Sequence, residues 1–393
     1  MDMKCTCEQG HHYAPVKVIE VSDNAIIKIP EILKDYHNIY MVCDQIIYEI
    51  CGRKVEEILR TAGMLSHKYV LPKAAHATAE NVGEVLIYAG TEEEEYDINK
   101  FSNKPDYILA VGSGSVNDIC RMVSYRLGIE YGVCGTAPSM DGYVSVVAPL
   151  LVNNKKIVYT CTTARHVIID LSIAANAPYE LLLAGVGDMI GKYVAILDWE
   201  LAAIKTGEYF CPQVAELVLE ATKECVDAAE RLKERRSEDI GKILGGLIQS
   251  GLGIAYTGSS RPASGTEHMI GQTWEVIDLE NGRCPHLHGV DVGQATFVAM
   301  IMYMKLYEET KDHDVKGLIE KYIPFFSKVF EVQKELKLPF MVKDKKDFID
   351  GIIRGRTFRV RYTLLQYLFD MGVLEEYSEY AYAMLFNSEI GSF

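Results

Sequence analysis

The chain has 393 residues, 49% hydrophobic and 24% charged, with a formal net charge of −15 at pH 7. That length supports two domains with full cores, and the ordinary charged fraction excludes a disordered chain. The acidic balance argues against nucleic-acid and anionic-lipid partners, no apolar run reaches the length of a membrane span, and "MDMKCTCEQGHHYAP" lacks the apolar centre of a signal peptide.

Residues 1–14 read as a flexible tail. Cys5, Cys7, His11 and His12 carry the sulfur and imidazole that suit zinc, but their spacing matches no standard finger, so the tail reading is preferred. The ten cysteines are scattered through apolar segments such as "YMVCDQII" and "YGVCGTAP", which fits reduced thiols and a cytoplasmic setting. From 15 to 172, the short apolar runs "IYMVCD" (39–44), "HKYVLP" (67–72), "EVLIYAG" (84–90) and "DYILAVGSGS" (106–115) read as strands. Helical patterns such as "QIIYEICGRKVEEILRTAG" lie between them, the order of a parallel sheet with crossover helices. "KIVYTC" and "HVIIDL" read as a closing strand pair, and "TEEEEYDINK" as a solvated face. Beyond residue 172, Pro178 marks a helix start, and helical patterns follow at 187–206, 212–236, 239–256, 264–277 and 290–309. The fold class is therefore an α/β nucleotide-type domain (15–172) followed by an all-helical domain (173–393), with a ligand cleft between them.

"ILAVGSGSVNDICRMV" reads as strand, glycine turn and helix start. Gly112 and Gly114 admit a ligand close to the backbone, Ser115 is placed to cap the helix, and the free N–H groups there favour phosphate. Asn117 stands where the third glycine of a dinucleotide fingerprint would be. Asp44, ending its strand, is either a ribose ligand or a turn residue. The loop "GTAPSMDGYVS" offers the hydroxyls of Thr136, Ser139 and Ser145 and the carboxylate of Asp141. In the helical half, Asp188 lies in an apolar, glycine-rich stretch where an unpaired carboxylate is costly, and His268, His286 and His288 fall near helix starts. One carboxylate and two histidines from separate helices match a catalytic zinc-type site with one position left open.

The motifs "GSGSVND", "TAPSMDG", "AGVGDMIGKY", "DWE", "SRPASGTEH", "LHG" and "RYTLL", in this order, resemble those of the sn-glycerol-1-phosphate dehydrogenases. That family is related to iron-containing alcohol dehydrogenases and glycerol dehydrogenases, and in fold to dehydroquinate synthase. The resemblance implies a dinucleotide-binding domain, a helical metal domain, homodimers, and NAD- or NADP-linked interconversion of dihydroxyacetone phosphate and sn-glycerol 1-phosphate. It implies that Gly112, Ser113, Gly114, Ser115 and Val116 line the cofactor pyrophosphate. Thr136, Ala137, Pro138, Ser139 and Ser145 would hold the nicotinamide side, and Asp141 would contact substrate. Asp188, His268 and His288 would bind the metal, with His286 a neighbour. Lys192 shares a helix face with Asp188 where iron-type relatives place a fourth, histidine ligand; three ligands favour zinc, with nickel and iron as alternatives.

Ser264 and Glu267 read as a capping box that starts a helix at Ser264 and aims His268 toward Asp188. Arg261, with Lys192, either holds the substrate phosphate or pairs with an interface carboxylate. Two positions depart from the family pattern: Gln272 where a substrate-contacting histidine is usual, and Asp291 where lysine is usual. The arginines of "IIRGRTFRVRY" read as solvating a helix. The alternatives are an unphosphorylated polyol dehydrogenase and a dehydroquinate-synthase-like lyase; in each the partner is a small molecule, with no nucleic acid and no membrane insertion.

Overall fold

The computed structural model describes residues 1–73, 75–89, 104–153 and 155–386, so the acidic run at 91–100 lies outside the described residues. The strands are β1 (Asp2–Lys4), β2 (His11–Tyr13), β3 (Val18–Ser22), β4 (Ile39–Asp44), β5 (Leu65–Leu71), β6 (Tyr107–Gly112), β7 (Glu130–Gly135), β8 (Val147–Val152), β9 (Lys155–Thr160) and β10 (His166–Asp170). One parallel sheet runs β3-β10-β7-β6-β4-β5. Every residue of β4, β6 and β10 is buried, as a parallel sheet covered on both faces requires. The two faces alternate residue by residue. Tyr40, Val42, Ile108 and Ala110 join a core that continues into the helical half, while Ile39, Met41, Cys43, Leu109 and Val111 form a smaller core on the other side.

The helices among the strands are α1 (Ile29–Ile32), α2 (Gln45–Ile47), α3 (Arg53–Thr61), α4 (Ala79–Ile87) and α5 (Gly114–Leu127). The run "EVLIYAG" is therefore not a strand. Thr78 accepts a hydrogen bond from Asn81 N at 3.2 Å and caps α4, which absorbs most of that run. "KIVYTC" and "HVIIDL" do not pair with each other either. β9 forms an antiparallel ribbon with β8, and β10 sits inside the main sheet between β3 and β7. Residues 1–14 are not a loose tail: β1 and β2 form a hairpin, Met1's ammonium donates to Ala14 O at 2.6 Å, and His12 is buried against the helical half.

From residue 171 on, the described chain is helical: α6 (Leu171–Ala174), α7 (Tyr179–Thr206), α8 (Pro212–Ala229), α9 (Ser237–Thr257), α10 (Thr266–Glu280), α11 (His288–Glu309), α12 (His313–Leu336), α13 (Lys345–Gly355), α14 (Leu364–Asp370) and α15 (Leu374–Phe386). α7 is buried over nearly its whole length, which suits its apolar, small-residue sequence. It meets α11 backbone to backbone: a Cβ on Gly187 would overlap the Gly289 carbonyl, and one on Gly289 would overlap the Ala184 carbonyl. Their neighbours Asp188 and His288 are brought together by that contact. A Cβ on Gly185 would likewise overlap the Pro138 carbonyl, so the 136–145 loop lies directly on α7.

Candidate active site

β6 ends at Gly112 and α5 begins at Gly114, with Ser113 as the flanking cap residue; Ser115 lies inside the helix and is not the cap. Val116 packs beneath Gly112, where any Cβ would stand 2.9 Å from the valine Cβ. The turn is tied to the neighbouring loop by Ser113 Oγ and Ser139 Oγ at 2.6 Å, and by Thr136 N donating to Gly112 O at 3.2 Å. Thr136's own hydroxyl is buried without a partner. Tyr143 donates to the Ala137 carbonyl, and Ser145 Oγ accepts from Val147 N at 3.1 Å, so both positions shape the loop. Asp44 ends β4 level with Gly112 on the neighbouring strand. Its carboxylate caps α2 through Ile47 N at 2.8 Å and reaches Ala75 N at 3.4 Å, the turn role weighed for it.

Across the loop, donor atoms of Asp188, His268 and His288 all lie within 4.8 Å of one another. Each histidine is oriented from behind by a carboxylate, as metal-binding imidazoles usually are. His268 Nδ1 donates to Glu267 Oε1 at 2.7 Å, and His288 Nδ1 to Glu275 Oε1 at 2.7 Å. With Nδ1 donating, each Nε2 is free to bind an ion, and that of His268 lies 3.5 Å from Asp188 Oδ1. Burial drops His268 well below its ordinary value and pushes the Glu267 carboxyl up to about 8. Burial would also raise Glu275, but Lys156 and His288 outweigh it and hold the carboxyl at about 2. Asp188 and His268 are almost fully enclosed, while His288 keeps 31% of its side chain exposed and so marks the open side. This donor set fits a divalent ion. Glu275→Gln is expected to weaken metal affinity about 10–100-fold with the fold intact, read by competition with a chelating dye; unchanged affinity would show that the Glu275 contact does not tune His288.

Lys192 is occupied by protein partners. Its ammonium, fully buried, meets Asp188 Oδ1 at 2.6 Å, Asp141 Oδ2 at 2.8 Å and Ala263 O at 3.0 Å, which uses all three protons. Burial opposes its charge, yet Asp141 and Asp188 hold it above the usual range. Ser250 Oγ also donates to Asp141 Oδ2 at 2.8 Å. The capping box is absent too. α10 starts at Thr266, Ser264 Oγ has no partner, and Glu267 Oε1 accepts from Gly265 N at 2.8 Å. Asp198, of the "DWE" motif, supplies the other anchor by accepting from Thr266 N at 2.5 Å and Leu364 N at 2.9 Å.

Arg261 is buried, forks onto Glu208 and donates to Tyr362 O at 2.9 Å, the carboxylate pairing given as one of its two readings. The arginine-rich segment, in contrast, is not a solvated helix. α13 stops at Gly355 and the chain turns, which sends Arg359 and Arg361 inward while Arg354 pairs with Glu280 outside. Arg359 donates to Gln272 Oε1 at 3.1 Å and Ser260 Oγ at 3.0 Å; Arg361 donates to Ser260 Oγ at 2.6 Å and Ser264 O at 3.0 Å. Burial lowers both guanidiniums, Arg361 to about 10. Their side-chain partners here are uncharged, and Gln272 lies one helical turn beyond His268, so two cationic forks stand beside the metal ligands. Asp291 turns the other way, accepting from His286 Nδ1 at 3.1 Å, which leaves His286 outside the donor set.

Residues 20–178 match the family model for iron-containing alcohol dehydrogenase. The iron-containing alcohol dehydrogenase of Thermococcus thioreducens superimposes with a TM-score of 0.69 at 14% identity, over 94% of this chain and 99% of that one. The parallel sheet and the helical half thus have the fold of the iron-containing alcohol dehydrogenases. In sequence, the glycerol-1-phosphate dehydrogenase (NAD(P)+) of Bacillus licheniformis is 29% identical over 384 residues, 94% of this chain and 93% of the relative. That of Halalkalibacterium halodurans is 30% identical over 306 residues, 76% and 74% of the two chains. The chain belongs to the glycerol-1-phosphate dehydrogenase family.

Proposed function

We propose that this chain is a divalent-metal-dependent, NAD(P)-linked oxidoreductase interconverting dihydroxyacetone phosphate and sn-glycerol 1-phosphate. The carrying observation is the convergence of Asp188, His268 and His288, with Arg359 bonded to Gln272 one turn beyond His268 and Arg361 bonded to the Ser264 carbonyl before it. A divalent ion held there supplies Lewis acidity to a carbonyl oxygen, and a nicotinamide supplies the hydride. Gly112 and Gly114 leave room for a pyrophosphate at the start of α5, Ser113, Ser115 and Val116 shape that turn, and Thr136's unpaired hydroxyl is available to a carboxamide. Asp141 keeps Oδ1 to accept from a substrate hydroxyl, because Lys192 and Ser250 both engage Oδ2. Arg359 is placed to bind the phosphate, with Gln272 orienting it.

Zinc is the ion we assign, since Lys192 occupies the place of a fourth ligand; nickel and iron are the alternatives that metal analysis separates. The reading includes a homodimer, and a cytoplasmic setting in keeping with ten unpaired thiols. No helix among the described residues is long and apolar enough to cross a membrane. The second reading, an unphosphorylated polyol dehydrogenase, is favoured by Gln272 and Asp291, which remove positive charge the family usually carries. Oxidation of NADH and NADPH with dihydroxyacetone phosphate against dihydroxyacetone decides between them. The phosphorylated ketone should win by at least about 100-fold in kcat/KM, the worth of one charge-assisted pair. Equal rates would move the assignment to the polyol enzyme, and no turnover of either would overturn both.

A further inference from the structure

We propose that Cys5, Cys7, His12 and Cys211 form a second metal site, a closed tetrahedral zinc site that rivets the N-terminal hairpin to the helical half. Their sulfur and nitrogen atoms all lie within 4.8 Å of one another. Cys5 Sγ is 3.4 Å from Cys211 Sγ, and His12 Nε2 is 3.3 Å from Cys7 Sγ and 3.4 Å from Cys211 Sγ. Zinc bonds of about 2.3 Å to sulfur and about 2.0 Å to nitrogen, arranged tetrahedrally, put ligand atoms roughly 3.5–3.8 Å apart. The three closest pairs, at 3.3–3.4 Å, stand slightly inside that spacing, and none of the cysteines is in a disulfide.

The surroundings are those of ligands held in place. His12 Nδ1 donates to Tyr256 O at 2.9 Å, which fixes the tautomer and leaves Nε2 for the ion. Tyr209 OH lies 3.2 Å from Cys7 Sγ, and Cys7 N donates to Cys5 Sγ at 3.4 Å, both suited to stabilising thiolate charge. The loop from Cys5 is closed by Cys5 N to Gly10 O at 3.1 Å and Gly10 N to Cys7 O at 2.9 Å, with Gly10 at φ +66°. That left-handed position favours glycine. Strand alternation in β2 turns His12 inward and His11 out to Asp2 at 3.0 Å, so His11 is not a ligand. Cys211, fully buried, flanks the start of α8 and completes a set no local spacing reveals. Three thiolates and one imidazole select zinc and leave no open position, the mark of a structural site. The site also steadies the 207–211 segment, whose Glu208 holds Arg261.

The test uses the full chain, metal-stripped under reducing conditions and reloaded with Co²⁺. Sulfur-to-cobalt charge-transfer absorption should appear in wild type, persist in His268→Ala, and vanish in Cys7→Ser and Cys211→Ser. Zinc-loaded wild type should hold two ions per chain against one in His268→Ala. The three thiols should resist alkylation until a chelator is added, a reading that needs no variant to fold. Cobalt loading without thiolate absorption, alkylation indifferent to zinc, or a Cys5–Cys211 disulfide in the freshly isolated chain would overturn the site. The thiolate absorption and the alkylation protection do not depend on the Asp188 cluster, so either assignment can fail alone.

Discussion

His268→Ala is expected to lower kcat/KM for dihydroxyacetone phosphate by at least about 10³-fold, roughly 4 kcal/mol of transition-state stabilisation. The three donors leave no spare ligand: Lys192 is a cation held by Asp141, Asp188 and the Ala263 carbonyl, and His286 is turned to Asp291. Removing one imidazole leaves two donors and strands Glu267, already raised by burial, without its partner. NADPH affinity, measured by fluorescence titration, should stay within about threefold, because the glycine turn and α5 belong to the other half of the chain. Activity within tenfold of wild type would remove the ion from the chemistry.

Arg359→Ala should raise KM for dihydroxyacetone phosphate about 100-fold or more while changing kcat/KM for dihydroxyacetone less than about threefold. Truncating one member of a buried, charge-assisted contact costs about 2–5 kcal/mol. The guanidinium bonds only the neutral Gln272 and Ser260 and has desolvation against it, conditions that a phosphate dianion would reverse. Arg359→Lys should recover only part of the loss, since a single ammonium cannot reproduce the fork. Inorganic phosphate should inhibit wild type competitively and the alanine variant far less. Equal losses with both ketones would mean that Arg359 merely positions Gln272.

What was legible in the sequence follows how local each signal is. β4 and β6 are continuous apolar runs because both faces of their sheet are covered, and Asp188 is conspicuous because a carboxylate sits among glycines and aliphatics. "EVLIYAG" misleads because a short apolar run has no period; only Thr78, just outside it, betrays the helix. Glu275 has no signature beyond helix polarity, since its roles come from His288 and Lys156 on other elements. Arg359 and Arg361 were hidden by their neighbours, because four arginines in eight residues read as a wet surface until the turn after Gly355 folds two of them inward. Cys211 is the extreme case, a ligand candidate separated from Cys7 by the whole sheet domain and α7.

The bare backbone contact between Gly187 and Gly289 sets the separation of Asp188 and His288. No side chain lies between those two points, so the approach of α7 to α11 there is fixed by main-chain contact. α10 meets α11 less tightly, a Cβ on Gly271 lying 3.1 Å from Val292 N, and His268 rides on its first turn. Any movement among the three donors therefore falls to α10, whose start is held by Asp198 through Thr266 N.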